Sequence, residues 1–176
     1  MMPNAMQDNI HLEKVVLNIG IGATEEKLEN AKQLLKKLTG RNAAYTRARK
    51  RFPAFGIKQG QTIGAVVTLR GSEASDFLKR ALEANESVLT PRSIANNSIN
   101  FGIKEYIYFT GIKYDPKIGM LGMNVNASFA RKGARVERRK IKTGVSGTKH
   151  KTLDREALTA YLEKNFKVKV TEKEER

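Results

Sequence analysis

Residues 62–70 read TIGAVVTLR, a segment in which apolar side chains occupy every second position. Those positions are Ile63, Ala65, Val67 and Leu69. Successive side chains of a β-strand point to opposite faces of a sheet, so this period of two predicts a strand with one buried face. The other face would carry Thr68, and Arg70 continues it just beyond the apolar run.

The same alternation predicts three further strands on either side of this segment. They are residues 12–21 (LEKVVLNIGI), 99–109 (INFGIKEYIYF) and 121–129 (LGMNVNASF). Glu105 interrupts the apolar side of the second of these strands. A shorter extended piece is predicted over residues 43–48, and Pro53, Gly56 and Gly60 then mark a loop.

Apolar residues at helical spacing predict three amphipathic helices between and after the strands. The first begins after Thr24 and ends at Gly40, the second runs from Ser72 to about residue 86, and the third runs from Asp154 to about residue 166. Thr24, Ser72 and Asp154 are residue types that commonly cap a helix N-terminus. Because no internal repeat or linker-like stretch divides the chain, we expect a single α+β domain over residues 1–176. Its sheet would be mainly antiparallel, with the helices packed on one face and a polar face on the other.

The polar face would consist mostly of small side chains. Its members are Asn18, Gly20, Thr62, Gly64, Thr68, Arg70, Asn100, Gly102, Lys104, Asn124, Asn126 and Ser128. Antiparallel sheets often leave one face to water, and this alone accounts for the alternation. A solvated face usually favours long charged residues, however, whereas Gly, Asn, Ser and Thr allow close backbone approach and short hydrogen bonds. The second interpretation favours a flat platform for structured RNA, and both stay open at this point.

Positive charge is concentrated in two segments of the chain. Lys and Arg total 33 against 18 Asp and Glu, which gives a net charge of +15 in 176 residues. Residues 41–58 carry +6 and residues 131–151 carry +8, with Glu137 the one acid in either segment. Clustered basic side chains release counterions when they neutralise phosphates, so this distribution favours a nucleic-acid partner. A generic basic surface or an anionic-membrane patch is the alternative, although neither segment has the helical period of a membrane anchor.

Composition disfavours several classes of protein. The chain has no cysteine, which excludes disulfides, thiolate metal sites and a cysteine nucleophile, and it has only two histidines. No apolar run is long enough to cross a bilayer and no secretion signal is recognisable, so we expect a cytoplasmic protein. Gly20 and Gly22 lie where a dinucleotide-binding turn would, but Glu25 replaces the third glycine and would repel pyrophosphate. We therefore expect no catalytic residue, no cofactor and no metal site.

Three stretches together resemble the ribosomal protein L5 family of the large subunit. They are KVVLNIGIG (14–22), TRARKRFPAFGIKQGQTIGAVVTLRG (46–71) and NFGIKEYIYF (100–109). The similarity covers most of residues 10–130, and GTKHK (147–151) before the last helix indicates the archaeal and eukaryotic branch. The resemblance implies a non-catalytic ribosomal scaffold that binds 5S rRNA in the central protuberance. It also implies contacts with 23S rRNA, P-site tRNA, a small-subunit head protein across an intersubunit bridge, and other 5S-binding ribosomal proteins.

The resemblance also implies roles for particular residues. The 5S contacts of the family correspond here to Asn18, Thr68 and Arg70, which share the polar side of their strands by the alternation described above. Arg41 stands where the family often has glutamine. An arginine keeps hydrogen-bond donors but offers no acceptor, which favours a phosphate contact over a base-edge contact there. The loop that reaches the tRNA corresponds to residues 51–61.

Two groups of side chains complete the expected interface. The tRNA-contacting loop would use Arg51, Phe52, Phe55, Lys58, Gln59 and Gln61. Other rRNA contacts would come from Arg47, Arg49, Lys50, Arg135, Arg138, Arg139, Lys140, Lys149, His150 and Lys151. The alternative for the loop is that one of its phenylalanines packs beneath it.

Two rival functions remain open from the sequence. A nonspecific basic nucleic-acid architectural protein would bind duplex DNA and 5S rRNA comparably. An RNA-modifying or nucleotide-using enzyme would need a cofactor loop or a clustered acid and base, and we recognise neither in the sequence. The chain also lacks an RNP-like aromatic signature, so recognition of RNA shape and backbone is expected rather than single-strand readout.

Overall fold

The computed structural model describes residues 10–22, 25–145 and 152–171. The helices are α1 (Glu25–Thr39), α2 (Ser72–Ala84) and α3 (Arg155–Phe166). The strands are β1 (Ile10–Gly20), β2 (Ala44–Arg47), β3 (Thr62–Leu69), β4 (Val88–Leu89), β5 (Ile94–Ala95), β6 (Ser98–Ile103), β7 (Met123–Arg131) and β8 (Lys169–Val170). Short 3-10 turns form at Pro53–Phe55, Pro91–Ser93, Tyr106–Tyr108 and Ala134–Glu137.

Six of the strands form one sheet in the order β2-β3-β1-β7-β6-β5, and β4 pairs with β8 in parallel. The pairs β2–β3 and β5–β6 are antiparallel. The predicted α+β class with a mainly antiparallel sheet is confirmed. The chain forms two compact units, a first drawn from Met1–Val15, Arg70–Phe101 and Asn126–Arg176 and a second drawn from Val16–Leu69 and Gly102–Val125. The single domain over residues 1–176 stays a prediction.

In the second unit, the core is built from α1 and the apolar sides of β1 and β3, and α1 packs against β3. Every second residue is buried from Leu17 to Ile19 of β1 and from Ala65 to Leu69 of β3, and one side of the helix is buried with them. At the start of β3 the pattern is less regular, since Ile63 is half-buried and Gly64, predicted on the polar face, is buried. The buried residues include Leu17, Ile19, Ala65, Val67 and Leu69 of the strands and Leu28, Ala31, Leu34, Leu35 and Leu38 of the helix. The predicted phase of these three elements is therefore confirmed. The helix ends where Gly40 adopts a φ of 70° and donates its N–H to the carbonyl of Lys36 at 2.8 Å. The predicted N-cap Thr24 lies outside the described residues.

Gly64 in β3 sits at a point of close backbone approach within the second unit. A Cβ added there would lie 2.4 Å from the carbonyl oxygen of Ile19 and 2.9 Å from Oγ1 of Thr46. A glycine in a strand interior often marks such an approach. Its missing side chain therefore allows β3 to lie this close to its two neighbouring strands.

The strand predicted over residues 99–109 ends with β6, and a 3-10 turn follows instead. The prediction was wrong because further alternation would place the carboxylate of Glu105 in the core, where an unpaired charge is costly. The turn buries Tyr106 and Phe109, which stand three residues apart and so share one side of a 3-10 helix. Ile107, which the alternation would bury, is only half-buried.

The connection after this turn is held by side chains of α1. Lys37 forms an ion pair with Asp115, and Nδ2 of Asn30 donates to the carbonyl of Lys117 at 2.8 Å. The backbone N–H of Asp115 donates to the hydroxyl of Tyr106 at 2.9 Å. The hydrogen bond from Lys37, followed by that from the backbone of Lys117, holds the pKa of the Asp115 carboxyl below its ordinary value.

In the first unit, α2 buries the face that the sequence predicts. Its buried residues are Ala74, Phe77, Leu78, Ala81 and Leu82. The predicted cap at Ser72 is wrong by one residue, since Gly71 occupies the N-cap position with a φ of 67° and makes the turn out of β3. Asp154 does occupy the N-cap of α3, but its side chain makes no capping hydrogen bond. Its carboxylate lies 3.7 Å from a guanidinium nitrogen of Arg131 instead.

Asn97 ties the end of β7 to the start of α3 in the first unit. Its carbonyl accepts the N–H of Phe129 at 2.8 Å, and its side-chain oxygen accepts the N–H of Leu153 at 2.7 Å. The ring of Phe129 meets the ring of Tyr161 edge-on at 5.8 Å. The strand β7 keeps the predicted alternation, but it begins and ends two residues later than predicted. It ends at Arg131, where the second basic segment starts.

Substitution of Gly64 by Ala should destabilise the fold. The added Cβ overlaps backbone as well as a side chain, so we expect a loss of about 1–3 kcal/mol in the free energy of unfolding. Gly20→Ala is the matched control, because a Cβ at Gly20 meets nothing within 4 Å and its change should stay within about 1 kcal/mol. Chemical denaturation of the three proteins measures both values. Equal stability of the Gly64 variant and wild type would contradict the close approach.

The ion pair between Lys37 and Asp115 predicts a pH dependence. Because the pKa of Asp115 is lowered in the folded state, the contact stabilises the fold above the ordinary carboxyl pKa and is lost as the pH falls through the lowered value. Lys37→Met should move the titration midpoint of Asp115 upward, whereas Lys36→Met, at a neighbouring exposed residue, should not. Carboxyl-carbon NMR titration measures this midpoint. An unchanged midpoint in Lys37→Met would show that another group sets it.

Candidate nucleic-acid interface

Asn18 and Thr68 lie on the outward side of two neighbouring strands, β1 and β3. The residues directly before and after each of them are buried, so strand alternation turns both polar side chains away from the core. Asn18 is half-buried and Thr68 is exposed. An amide and a hydroxyl in these positions offer both donors and acceptors of hydrogen bonds.

Arg70 follows β3 and precedes the positive-φ turn at Gly71. It stands two residues beyond Thr68, with buried Leu69 between them, and its side chain is exposed. The strand pattern therefore carries on to this arginine. Its guanidinium supplies a fork of donors suited to phosphate oxygens, at the next outward position after the hydroxyl of Thr68.

Other small polar residues also lie on the outward positions of the sheet strands. In the second unit, Gly102 is exposed, and a Cβ added there would lie 3.4 Å from the side-chain oxygen of exposed Asn124. In the first unit, Asn100 is exposed and Asn126 and Ser128 are half-buried. These positions present hydrogen-bonding groups close to the backbone rather than long charged chains.

Arg41 is exposed directly after the end of α1. Its backbone N–H donates to Oγ1 of Thr39 at 3.2 Å, and that hydroxyl donates to the carbonyl of Leu35 at 2.7 Å. The backbone at Arg41 is thus fixed by the helix end, while its side chain is exposed.

A cluster around Tyr45 was not found by sequence reasoning. The ring of Tyr45 is 41% exposed, Nζ of Lys32 lies 4.8 Å from its centroid, and its hydroxyl donates to a carboxylate oxygen of Glu29 at 3.3 Å. The groups come from α1 and β2, and no local motif links them. Its exposed ring adds an aromatic surface near the basic residues of α1.

The loop of residues 51–61 is a folded hairpin. Phe52 and Ile57 exchange backbone hydrogen bonds of 2.9 and 3.1 Å, and Gly56 closes the turn between them with a φ of 65°. At the base, the N–H of Ala48 donates to the carbonyl of Gln61 at 2.8 Å. The side-chain oxygen of Gln61 accepts the N–H of Lys58 at 2.9 Å, so this predicted tRNA-contacting residue also holds the loop itself.

The aromatic residues of this hairpin lie on its surface. Phe52 is 49% exposed and Phe55 is 78% exposed. The alternative that one of them packs beneath the loop is therefore wrong. Arg51, Lys58 and Gln59 are exposed as well. Arg47, Arg49 and Lys50, which precede the loop, are also exposed.

The second basic segment is described as far as residue 145. Arg135, Arg138, Arg139 and Lys140 are exposed. The fork of Arg138 contacts both carboxylate oxygens of Glu13, at 2.8 and 3.4 Å, and Nε of Arg139 donates to the carbonyl of Lys142 at 2.6 Å. Lys149, His150 and Lys151 lie outside the described residues.

A metal cluster and a membrane-spanning helix are both absent from the part of the chain that the structure describes. No group of three or more His, Cys, Asp or Glu side chains is placed there so as to hold a metal ion. None of the described helices combines the length and the apolar character that a membrane span requires.

Family models match both parts of the sequence. Residues 4–58 match the model described as ribosomal protein L5, and residues 62–170 match the model described as the C-terminus of the same ribosomal family. The chain belongs to the ribosomal protein L5 family.

Curated archaeal relatives agree with this assignment. Large ribosomal subunit protein uL5 of Sulfurisphaera tokodaii is 39% identical over 93% of this chain and 93% of its own. The same protein of Pyrobaculum aerophilum is 44% identical over 85% of this chain and 84% of its own. That of Nanoarchaeum equitans is 40% identical over 92% of this chain and 95% of its own.

Family membership makes this L5 chain a ribosomal protein, in a family whose role is structural and tied to translation. The resemblance stated from the sequence is confirmed, as is its expected location on the cytoplasmic ribosome.

Proposed function

We propose that this L5 protein belongs to the large ribosomal subunit and binds 5S rRNA there. The observation that carries the proposal is the outward side of β1 and β3, where Asn18, Thr68 and then Arg70 follow the strand alternation. The uL5 relatives are proteins of the large ribosomal subunit. The proposed contacts are thus residues that the fold presents outward and that match the 5S-contacting motif of the family.

The chemistry of these groups suits a folded RNA rather than unpaired bases. Glycines and short polar side chains let a sugar–phosphate backbone approach the sheet, and Arg41 and Arg70 supply charge-assisted hydrogen bonds to phosphate. The basic segments add neutralising charge, most of it exposed. Binding would therefore combine short contacts on the sheet with salt-dependent contacts around it.

The hairpin of residues 51–61 is proposed to contact P-site tRNA. Its two exposed phenylalanines are available for stacking, and the exposed Arg51 and Lys58 of the same hairpin can neutralise phosphates. The two backbone hydrogen bonds between Phe52 and Ile57 hold the hairpin that carries these aromatic and basic side chains. A preformed hairpin loses less conformational entropy on binding than a disordered loop.

The remaining partners of the proposal follow the family. They are 23S rRNA, other 5S-binding ribosomal proteins and a small-subunit head protein reached across an intersubunit bridge, with the chain placed in the central protuberance. Arg47, Arg49, Lys50, Arg135, Arg138, Arg139 and Lys140 are the described candidates for further rRNA contacts. Lys149, His150 and Lys151 remain candidates from the sequence alone. The protein would act by binding, without catalysing a reaction.

A nonspecific architectural role makes a different prediction for nucleic-acid choice. Phosphate contacts alone would give comparable affinity for duplex DNA and for 5S rRNA at the same salt concentration. A shaped, hydrogen-bonding sheet face would prefer the RNA. Competition between the two nucleic acids near physiological salt separates these roles.

The 5S site is tested by the variant Thr68→Ala with Arg70→Ala. Each lost contact to a charged group should weaken 5S rRNA binding by about 1–3 kcal/mol, because hydrogen bonds to charged groups have that value. Thr68 and Arg70 are exposed, so the variant should fold normally. Filter binding or fluorescence anisotropy with a 5S transcript measures the affinity.

The charge-matched control for this variant is Lys79→Ala, which removes a cation from the exposed side of α2. It should change 5S affinity far less than the double variant. If the folded double variant binds 5S rRNA as tightly as wild type, the proposed site is wrong.

The tRNA hairpin is tested by Phe55→Ala with Lys58→Ala. These changes leave the backbone bonds between Phe52 and Ile57 in place, so the hairpin should keep its fold. We expect unchanged 5S affinity and, in ribosomes rebuilt with the variant, weaker P-site tRNA binding by about 1–3 kcal/mol for the lost stacking. Shortening of residues 52–60 should likewise spare 5S rRNA binding and affect the binding of tRNA. Loss of 5S affinity in either variant would contradict the separation of the two surfaces.

A further inference from the structure

One carboxylate lies among basic side chains in a cleft of the first unit, at the start of the second basic segment. The cleft has a volume of about 230 Å³. Its charged and titratable lining residues are His11, Glu13, Arg131, Lys132, Arg135 and Arg138. Among the described side chains that line it, Glu13 alone is an acid. The cleft is therefore lined mainly by basic side chains, one of which, Arg138, is paired with the protein's own carboxylate at Glu13.

The contact between Glu13 and Arg138 has the geometry of a phosphate contact. Nη1 of Arg138 lies 2.8 Å from one carboxylate oxygen and Nη2 lies 3.4 Å from the other. Guanidinium forks bind carboxylate and phosphate in the same two-point manner. The carboxylate of Glu13 thus occupies the donors that a phosphate would use.

The backbone around Arg138 is held without this ion pair. The N–H groups of Arg138 and Arg139 both donate to the carbonyl of Arg135 at 3.0 Å, and the N–H of Val136 donates to the carbonyl of Gly133 at 3.1 Å. These bonds belong to the turn that follows β7. The side chain of Arg138 can therefore change partner while its backbone stays in place.

The ion pair is also weak enough to exchange. The Arg138 side chain is 57% exposed and that of Glu13 is 23% exposed. Partly solvated pairs of this kind shift a folding equilibrium by a factor of only about one to five. A stabilising role for the fold is therefore small, whereas the cost of giving up the pair to an incoming anion is low.

We propose that Glu13 is an internal competitor for RNA. In the free protein, the carboxylate of Glu13 forms an ion pair with Arg138. When RNA binds, this ion pair breaks and the guanidinium of Arg138 contacts an RNA phosphate instead. The proposal rests on the proposed function and adds a regulatory residue to it. A phosphate that binds Arg138 must first displace Glu13, which lowers the affinity for unrelated nucleic acids that make few other contacts. An RNA that makes further contacts with the protein offsets the free energy needed to break the ion pair.

Glu13→Gln, Arg138→Gln and the double variant test this competition. The probes are a 5S rRNA transcript and a short unrelated RNA duplex, both at low salt. Glu13→Gln should bind the duplex about two- to five-fold more tightly, the factor expected for releasing a partly exposed pair. Arg138→Gln should bind it more weakly. In the Arg138→Gln background, Glu13→Gln should have no further effect.

Asp76→Asn, which neutralises an exposed acid on α2, is the charge-matched control and should not change duplex affinity. A gain from Glu13→Gln that persists without Arg138 would reflect long-range charge and would overturn the proposal. Absence of any gain would overturn it as well. Equal binding of wild type to 5S rRNA and the duplex would instead remove the 5S assignment, while the coupling of Glu13 to Arg138 could still be measured on the duplex.

A second measurement uses the wild-type chain and needs no substitution. In side-chain NMR spectra, the guanidinium signals of Arg138 should shift when the RNA duplex is added. Unchanged signals under conditions where the duplex binds would overturn the exchange of partners.

Discussion

The two-residue alternation along β1 and β3 is the constraint on which the rest of the account depends. It buries Leu17, Ile19, Val67 and Leu69 in the core, and by the same geometry it turns the residues between them outward. A slip of one residue in either strand would expose the core and bury Asn18 or Thr68. The core and the proposed RNA face are therefore specified together, and neither can shift without the other.

The positive charge of the protein is concentrated in two segments of the chain rather than spread along it. Nearly all of the excess of +15 lies in residues 41–58 and 131–151, most of whose described basic side chains are exposed. Glu13 of β1 forms an ion pair with Arg138 of the second segment. A fold that is otherwise near neutral can thus carry strong local positive charge. We propose that one of its own acids, Glu13, lowers the affinity of that charge for unrelated nucleic acids.

Local patterns predicted the parts of the structure that depend on neighbouring residues. The buried face of α2 and the strand phases of β1, β3 and β7 follow from periodicity within a single segment. Long-range contacts could not be predicted in this way, because Glu13 and Arg138 stand 125 residues apart and Lys37 and Asp115 stand 78 apart. The prediction of a strand over residues 99–109 was wrong for a different reason. The cost of burying the carboxylate of Glu105 outweighed the apolar alternation, so the strand ends before it.

Peptide-resolved UV crosslinking of the intact protein to a 5S rRNA transcript tests whether the outward side of β1 and β3 binds the RNA. Crosslinks are expected in peptides that contain Asn18 and the segment from Thr68 to Arg70, and far fewer are expected on the exposed side of α2. Crosslinks confined to α2 and α3, with none on β1 or β3, would contradict the assignment of the sheet face to RNA.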